Sequence, residues 1–353
     1  MPVAETTRLH GATPMFSDIE LSVPRQHAIG ITVKNTRHFH LLILLLTAGF
    51  SGDRGVAQEA IPPNNASEII FNQSSHDSRG FGVDAARVDS QITLSIPAGQ
   101  APAVYAYLRA TYADSNDMLQ KAFPELPLRG LKTTDVSLFT DEYYDTPKLD
   151  LYQRQNTTRY RIRVNTTDPA DRKSGRELVQ IKVTPTGAFE MRSELKFEVN
   201  PSTKRRDPDD FHPLIRLIDR DQRQDFKDAM QSLGLNALSL RHILTNSQQR
   251  SRVYINWGKA GLLSFSVDEF HSRILWASAS LASVDIGLVE NEFTAADEAK
   301  RKAMREIRDL MIRDLKQRFP ELTQTKKEKY GLLLDQLLPQ IPFLRFLFEH
   351  GVM

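Results

Sequence analysis

From about residue 90 onward the chain alternates apolar and polar positions in short runs. Ile92, Leu94 and Ile96 alternate with Gln91, Thr93 and Ser95, and the run stops at Pro97-Ala98-Gly99. Period-two alternation closed by turn residues predicts a half-buried strand. Val104, Leu108 and Tyr112 then recur at helical spacing, which predicts a helix. Further strands are expected over 136–144, 159–164, 178–183, 191–199, 250–255, 262–268 and 284–293, and helices over about 208–233 and 295–319. The later helix carries an apolar stripe of Ala303, Ile307, Leu310, Met311 and Leu315. Lys300, Arg301, Lys302, Arg305, Arg308 and Arg313 dominate its other faces, which read as a solvated surface rather than a nucleic-acid site.

Strand parity then sorts the charges. Side chains at i, i+2 and i+4 share one face. Arg159, Arg161 and Arg163 therefore point one way, and Tyr160, Ile162 and Val164 the other. Gln180 and Lys182 oppose Val179, Ile181 and Val183, while Arg192, Glu194, Lys196 and Glu198 oppose Ser193, Leu195, Phe197 and Val199. Arg250 and Arg252 oppose Val253 and Ile255, Asp268 falls opposite Phe265 and Val267, and Glu290 and Glu292 share a side. Charge on one strand face is ordinarily a solvated surface. Six strands in succession carrying both signs suit an antiparallel barrel whose charged faces line a wet channel. A sandwich with a charged outer sheet satisfies the same parity. In a channel, several guanidinium groups would offer bidentate contacts to phosphate oxygens, and clustered carboxylates would offer hard ligands for a divalent cation.

Composition narrows the classes. The 353 residues carry 46 Lys+Arg against 44 Asp+Glu, a net charge of +2, so any basic site must be local and nucleic acid is not an expected partner. Zero cysteines exclude disulfides, thiolate zinc sites and a cysteine nucleophile. The nine histidines show no H-E-x-x-H spacing, and no P-loop, dinucleotide fingerprint or nucleophile elbow is present.

The apolar run Leu41-Leu42-Ile43-Leu44-Leu45-Leu46, extended to Phe50, is too short for a span of about 20 residues, so no integral membrane segment is expected. It has the size of a signal-peptide core, with Arg25, Lys34 and Arg37 before it and Gly55-Val56-Ala57 after it. Export to the periplasm or the outside is expected, with a buried cytoplasmic segment as the alternative. The organisation reads as a leader over 1–57, a polar linker over 58–88, a body over 89–335 and an apolar tail over 336–353.

The stretch Tyr143-Tyr144-Asp145-Thr146-Pro147-Lys148-Leu149-Asp150-Leu151-Tyr152, followed by Arg159-Tyr160-Arg161-Ile162-Arg163, resembles the triphosphate tunnel metalloenzymes. That superfamily includes the CYTH enzymes and the polyphosphate polymerase domain of the vacuolar transporter chaperone. Gln180-Ile181-Lys182, Arg192-Ser193-Glu194, Gln249-Arg250-Ser251-Arg252, Val267-Asp268-Glu269 and Glu290-Asn291-Glu292 continue the series. Lys329-Tyr330 resembles the late Ser-Lys-Tyr element, with Glu328 in place of Ser.

The resemblance implies an α+β fold, an eight-stranded antiparallel β-barrel forming a tunnel, with flanking helices. It implies phosphate binding by Arg159, Arg161, Arg163, Lys182, Arg192, Arg250, Arg252 and Lys329, and Mg2+ or Mn2+ on Glu194, Asp268, Glu290 and Glu292. Glu290, Glu292 and Lys182 would be the catalytic groups of a metal-dependent phosphohydrolase acting on triphosphate, a nucleotide or polyphosphate. A polyphosphate polymerase-like domain and a non-catalytic polyphosphate-binding protein are the alternatives. One departure stands out. CYTH members begin with Glu-x-Glu-x-Lys on the first strand, where this chain reads Gln91-Ile92-Thr93-Leu94-Ser95, neutral at all three inward positions.

Overall fold

The computed structural model of the chain describes residues 87–88, 91–132, 136–165, 175–183, 193–199 and 211–350. The leader with its possible cleavage point, nearly all of the expected linker, and Arg192 lie outside the described residues.

Strands β1 (Arg87–Val88) and β2 (Gln91–Ile96) precede helix α1 (Ala101–Leu108), which runs into a π-helical stretch, Arg109–Ser115. Helix α2 (Asp117–Ala122) and strands β3 (Leu128–Lys132) and β4 (Ser137–Asp145) follow, then the single turn α3 (Asp150–Gln153). Next come β5 (Thr157–Asn165), β6 (Glu177–Val183), β7 (Ser193–Glu198) and α4 (Arg223–Ser232). The longest strands are β8 (Arg241–Trp257), β9 (Ala260–Ile274) and β10 (Ala277–Leu288). The chain closes with α5 (Glu290–Ala295), α6 (Glu298–Arg318), β11 (Thr323–Thr325), α7 (Lys329–Leu337) and α8 (Leu344–Glu349).

All pairings are antiparallel, in the order β1-β7-β6-β5-β4-β8-β9-β10-β2-β11, with β3 added on β8. The expected α+β class with an antiparallel sheet and flanking helices is present. The barrel is a loose description, because among the described residues the sheet has eleven strands and does not close on itself. It bends into a trough instead. Lys182 on β6 pairs with Glu328, whereas Asp285 on β10, five places along the sheet, binds the adjacent Lys329. The start of α7 therefore bridges the two halves across the concave side.

Three apolar clusters hold this shape. Ile92, Leu94, Val253, Phe265 and Val284 pack their outer faces under α1 and under Met304, Ile307, Met311 and Leu315 of α6. Val179, Ile181, Leu195 and Phe197 pack on Phe226 and Met230 of α4. The third lies at one end of the trough, where Tyr143 and Phe270 meet Tyr330, Leu333, Leu334 and Leu337 of α7. Ile341, Leu344 and Phe348 of the apolar carboxyl-terminal stretch are buried in this cluster too.

Two expected elements differ. The helix over 208–233 survives only as α4, preceded by 3₁₀ turns at Ile215–Leu217 and Arg220–Gln222. The backbone is drawn to the sheet there, with Val199 bridging Ile218 and Asp219 N–H donating to Glu198 at 2.9 Å. The strand expected over 284–293 ends at Leu288, whose partner is Leu263 of β9; Val289 N–H still donates to the Leu262 carbonyl at 2.9 Å, and the chain then leaves the ladder. Residues 290–295 coil into α5 instead.

Candidate functional site

The polar floor of the trough is built from the inward parity of eight strands, β2 and β4 to β10. On β5, Arg161 makes a fork to Asp141 of β4, Nε to Oδ1 at 2.5 Å and Nη2 to Oδ2 at 2.7 Å. Arg159 donates Nε to Gln180 at 2.9 Å and lies 3.4 Å from the same Asp141. Phe139 of β4 lies beneath these cations. The guanidinium carbons of Arg161, Arg250 and Arg163 sit 4.5, 5.3 and 5.9 Å from its ring centre, within cation–π range. Arg163 also donates to Ser137 Oγ at 3.0 Å.

Across the trough, Arg250 of β8 grips Asp268 of β9 with two bonds of 2.6 Å. The Lys329 ammonium lies 2.9 Å from Asp268 Oδ2 and 2.6 Å from Asp285 Oδ2 on β10. Thr93 of β2 donates to the other Asp285 oxygen at 3.0 Å. Towards β7, Glu194 accepts from Gln180 at 3.0 Å and pairs with Lys196 at 3.3 Å. Lys182 pairs with Glu328 at 3.7 Å. Between these groups lies a cavity of about 150 Å³ lined only by Gln91, Arg159, Arg161, Lys182, Glu194, Arg250, Asp285, Glu328 and Lys329.

The charges hold one another in place. Burial alone would raise the Asp141 carboxyl, but Arg159 and Arg161 outweigh it and hold the group at about 2. Burial is likewise overcome at Asp268, where Arg250 and Lys329 hold the carboxyl far below the usual range. It is overcome again at Glu194, lowered by Lys182, Lys196 and Arg159. Burial disfavours the Lys329 ammonium, yet Asp268 and Asp285 raise its pKa and keep it charged. Arg252 stands apart, its pKa lowered by burial and by neighbouring Arg250 while it donates to Ser266 at 2.8 Å and Tyr254 at 2.9 Å.

Of the residues expected from the sequence, Arg159, Arg161, Lys182, Glu194, Arg250 and Lys329 line this cavity, and Asp268, outside the lining, bonds Arg250 and Lys329. Arg163 and Arg252 flank it on the same strand faces. Glu290 and Glu292 are not on a strand with a shared side. They fall in the first turn of α5. Glu292 pairs with Lys300 of α6 at 3.3 Å, away from the cavity lining.

Sequence reasoning missed Asp141, Asp285, Phe139 and Gln248, whose Oε1 accepts from Arg161 Nη2 at 3.2 Å. Asp285 had a legible signal, sitting between Val284 and Ile286 in a period-two run. The Asp-Thr-Pro turn proves architectural. Asp145 accepts from the backbone N–H groups of Thr146, Leu151 and Tyr152 at 2.7, 2.9 and 2.9 Å. It also accepts from the Tyr330 hydroxyl at 2.9 Å, so it ties the end of β4 to α7.

The divalent ion implied by the resemblance needs carboxylate oxygens free to coordinate. Among the described residues, no group of three or more His, Asp or Glu is placed to hold one. Asp268, Asp285 and Glu194 spend both oxygens on protein cations or donors, and Glu292 pairs with Lys300. The described donor set does not fit a divalent cation, and no chemical step is drawn through one.

The described residues thus form an open antiparallel trough with a buried floor of paired cations and carboxylates. The chain matches no protein-family model and no curated protein. Solved structures to which it is similar include the PH1819 protein of Pyrococcus horikoshii, at 13% identity and a TM-score of 0.39, covering 70% of this chain and 98% of that one. A protein from Hippeastrum, named as a candidate adenylyl cyclase with a dominant triphosphatase activity, aligns at 13% identity and a TM-score of 0.41, over 72% of this chain and 99% of its own. A candidate adenylate cyclase of Bacillus halodurans gives 12% and 0.33, over 63% and 88%. These neighbours are of the group that the motif series resembles. Likeness this distant carries no argument about activity, which rests on the side chains of the trough.

No helix among the described residues is long and apolar enough to cross a membrane.

Proposed function

We propose that the trough binds a linear phosphate anion of the triphosphate or short polyphosphate class. The carrying observation is that five cations, Arg159, Arg161, Lys182, Arg250 and Lys329, face three carboxylates, Glu194, Asp285 and Glu328, around a cavity without apolar lining. Asp141 and Asp268, outside the lining, also pair with these cations, so the site is held by exchangeable ion pairs rather than by a bare positive charge. Guanidinium forks now engaged by carboxylates present the same planar geometry to phosphate oxygens, so an incoming chain exchanges one oxygen partner for another. Repeated cations across the trough favour repeated phosphates over a single one.

Calorimetric titration with tripolyphosphate tests this. Saturable binding is expected, weakening as salt rises. The Arg161→Ala/Lys182→Ala double variant should lose at least about tenfold in affinity, or about 1.4 kcal/mol. Absence of binding to the unaltered protein at low salt overturns the reading.

Hydrolysis of the bound chain is a second reading, favoured by the ionised Glu194 and by Glu328 in the cavity wall. Phosphoryl transfer relies on positioning and charge neutralisation, which the cations supply, and a wall carboxylate would orient the attacking water. Phosphate release that persists in an Arg161→Ala/Lys182→Ala variant would remove this reading from the trough.

A further inference from the structure

Asp268 and Asp285 lie on neighbouring strands on either side of Lys329, and every one of their four oxygens is taken. Asp268 Oδ1 accepts from Arg250 Nε, and Oδ2 from Arg250 Nη2 and Lys329 Nζ. Asp285 Oδ1 accepts from Thr93 and Oδ2 from Lys329, with Arg250 Nη2 at 3.5 Å. Two carboxylates thus meet one guanidinium and one ammonium, and the cluster is neutral. Asp268 is fully buried, and Asp285 and Lys329 nearly so.

A divalent cation entering this cluster would leave an uncompensated double positive charge in a buried place, and it would need oxygens already spent as acceptors. The first strand supplies no relief, since its inward Gln91 and Thr93 are neutral and Thr93 serves as a donor to Asp285. Nor is the ammonium loosely held. Lys329 is the first residue of α7, fixed by the burial of Tyr330, Leu333, Leu334 and Leu337 and by the Tyr330–Asp145 bond.

From this we infer that the Lys329 ammonium is a built-in counter-cation that fills the place between Asp268 and Asp285, so that the trough takes up its phosphate anion without a divalent metal. The inference deepens, and rests on, the phosphate-binding reading above. An ammonium has three N–H donors. Two serve the aspartates, which leaves one for an anion in the cavity that Lys329 lines.

The test uses the full chain in two arms. In the first, tripolyphosphate is titrated calorimetrically in excess EDTA and again with Mn2+ added to the protein. Dissociation constants agreeing within about twofold support the inference. Binding that vanishes in EDTA and returns with Mn2+ overturns it while leaving the phosphate reading intact. Absence of binding in both conditions overturns the phosphate reading, and the second arm then decides the inference alone.

In the second arm, Mn2+ is titrated into unaltered protein and into Lys329→Met, with bound ion followed by electron paramagnetic resonance. The unaltered protein should show no site tighter than about 1 mM, and the variant should gain one at least about tenfold tighter. A Mn2+ site in the unaltered protein that is lost in Asp285→Asn overturns the inference. That comparison and the EDTA arm need no folded Lys329 variant.

Discussion

Replacing Asp141 by Asn probes the electrostatic logic of the trough most sharply. Asp141 is fully buried and is the shared partner of Arg159 and Arg161. Its carboxyl is held at about 2, against about 3.9 for an unperturbed aspartate, by those two arginines acting against burial. The two arginines thus favour the ionised form in the folded state by an amount on the order of 2–3 kcal/mol. The amide adds a second cost, because its NH2 group faces guanidinium donors and leaves two buried cations short of an acceptor. Breaking one side of a buried pair costs about 3–5 kcal/mol. The variant should therefore lose about 3 kcal/mol in urea unfolding, with an unchanged urea slope. Adding Arg161→Met to Asp141→Asn should recover part of the loss, since one stranded charge is then removed. Tripolyphosphate should stabilise the Asp141→Asn protein more than the unaltered one, because the anion supplies the missing negative charge. A loss under about 0.5 kcal/mol, within the range of neutral surface changes, would refute the pairing scheme.

The same carboxyl has a pH signature. Because its folded pKa is depressed, its stabilisation is complete above about pH 4 and is lost as pH falls towards 2. Acid unfolding should be steep in that window, and shallower in Asp141→Asn, as followed by circular dichroism. Gly130 of β3 packs on the π-helical stretch, where an added Cβ would lie 1.3 Å from the Tyr112 carbonyl oxygen. Gly130→Ala should therefore cost at least about 3 kcal/mol or prevent folding, read as a fall in melting temperature or in soluble yield. Phe139→Leu removes the ring shared by three guanidinium groups while keeping an apolar side chain. It should weaken tripolyphosphate binding by about tenfold at constant salt, a loss of about 1.4 kcal/mol measured by calorimetry.

Much of the trough was legible because strand parity is a strong constraint. In β5 the apolar Tyr160 and Ile162 pack with the cluster beneath α4, and this turns Arg159, Arg161 and Arg163 to the opposite face without any tertiary information. The same holds for Lys182 against Val179 and Ile181, and for Arg250 against Val253 and Ile255. Parity is blind where both faces are buried. Tyr143 and Tyr144 are each nearly inaccessible, on opposite sides of β4, and a register shift between them falls beside β8. Nothing in that stretch marks Asp141 as the partner of two arginines.

Strand ends were equally hidden. Glu290 and Glu292 continue the local alternation, but the ladder with β9 stops at Leu288–Leu263 and the chain turns into α5, which alternation alone does not announce. The open sheet was illegible for a similar reason. Closure depends on whether edges remote in sequence meet, and here β1 and β11 stay apart at the ends of the order. The pairing of Lys329 with Asp285, 44 residues apart, belongs to the same class of long-range fact.

The most direct test is a crystal of the full chain soaked in tripolyphosphate at low salt. The account predicts phosphate density among Arg161, Lys182, Arg250 and Lys329, with Arg161 turned from Asp141 towards the anion. Density confined to the outer surface, or a trough unchanged at saturating ligand, would contradict it.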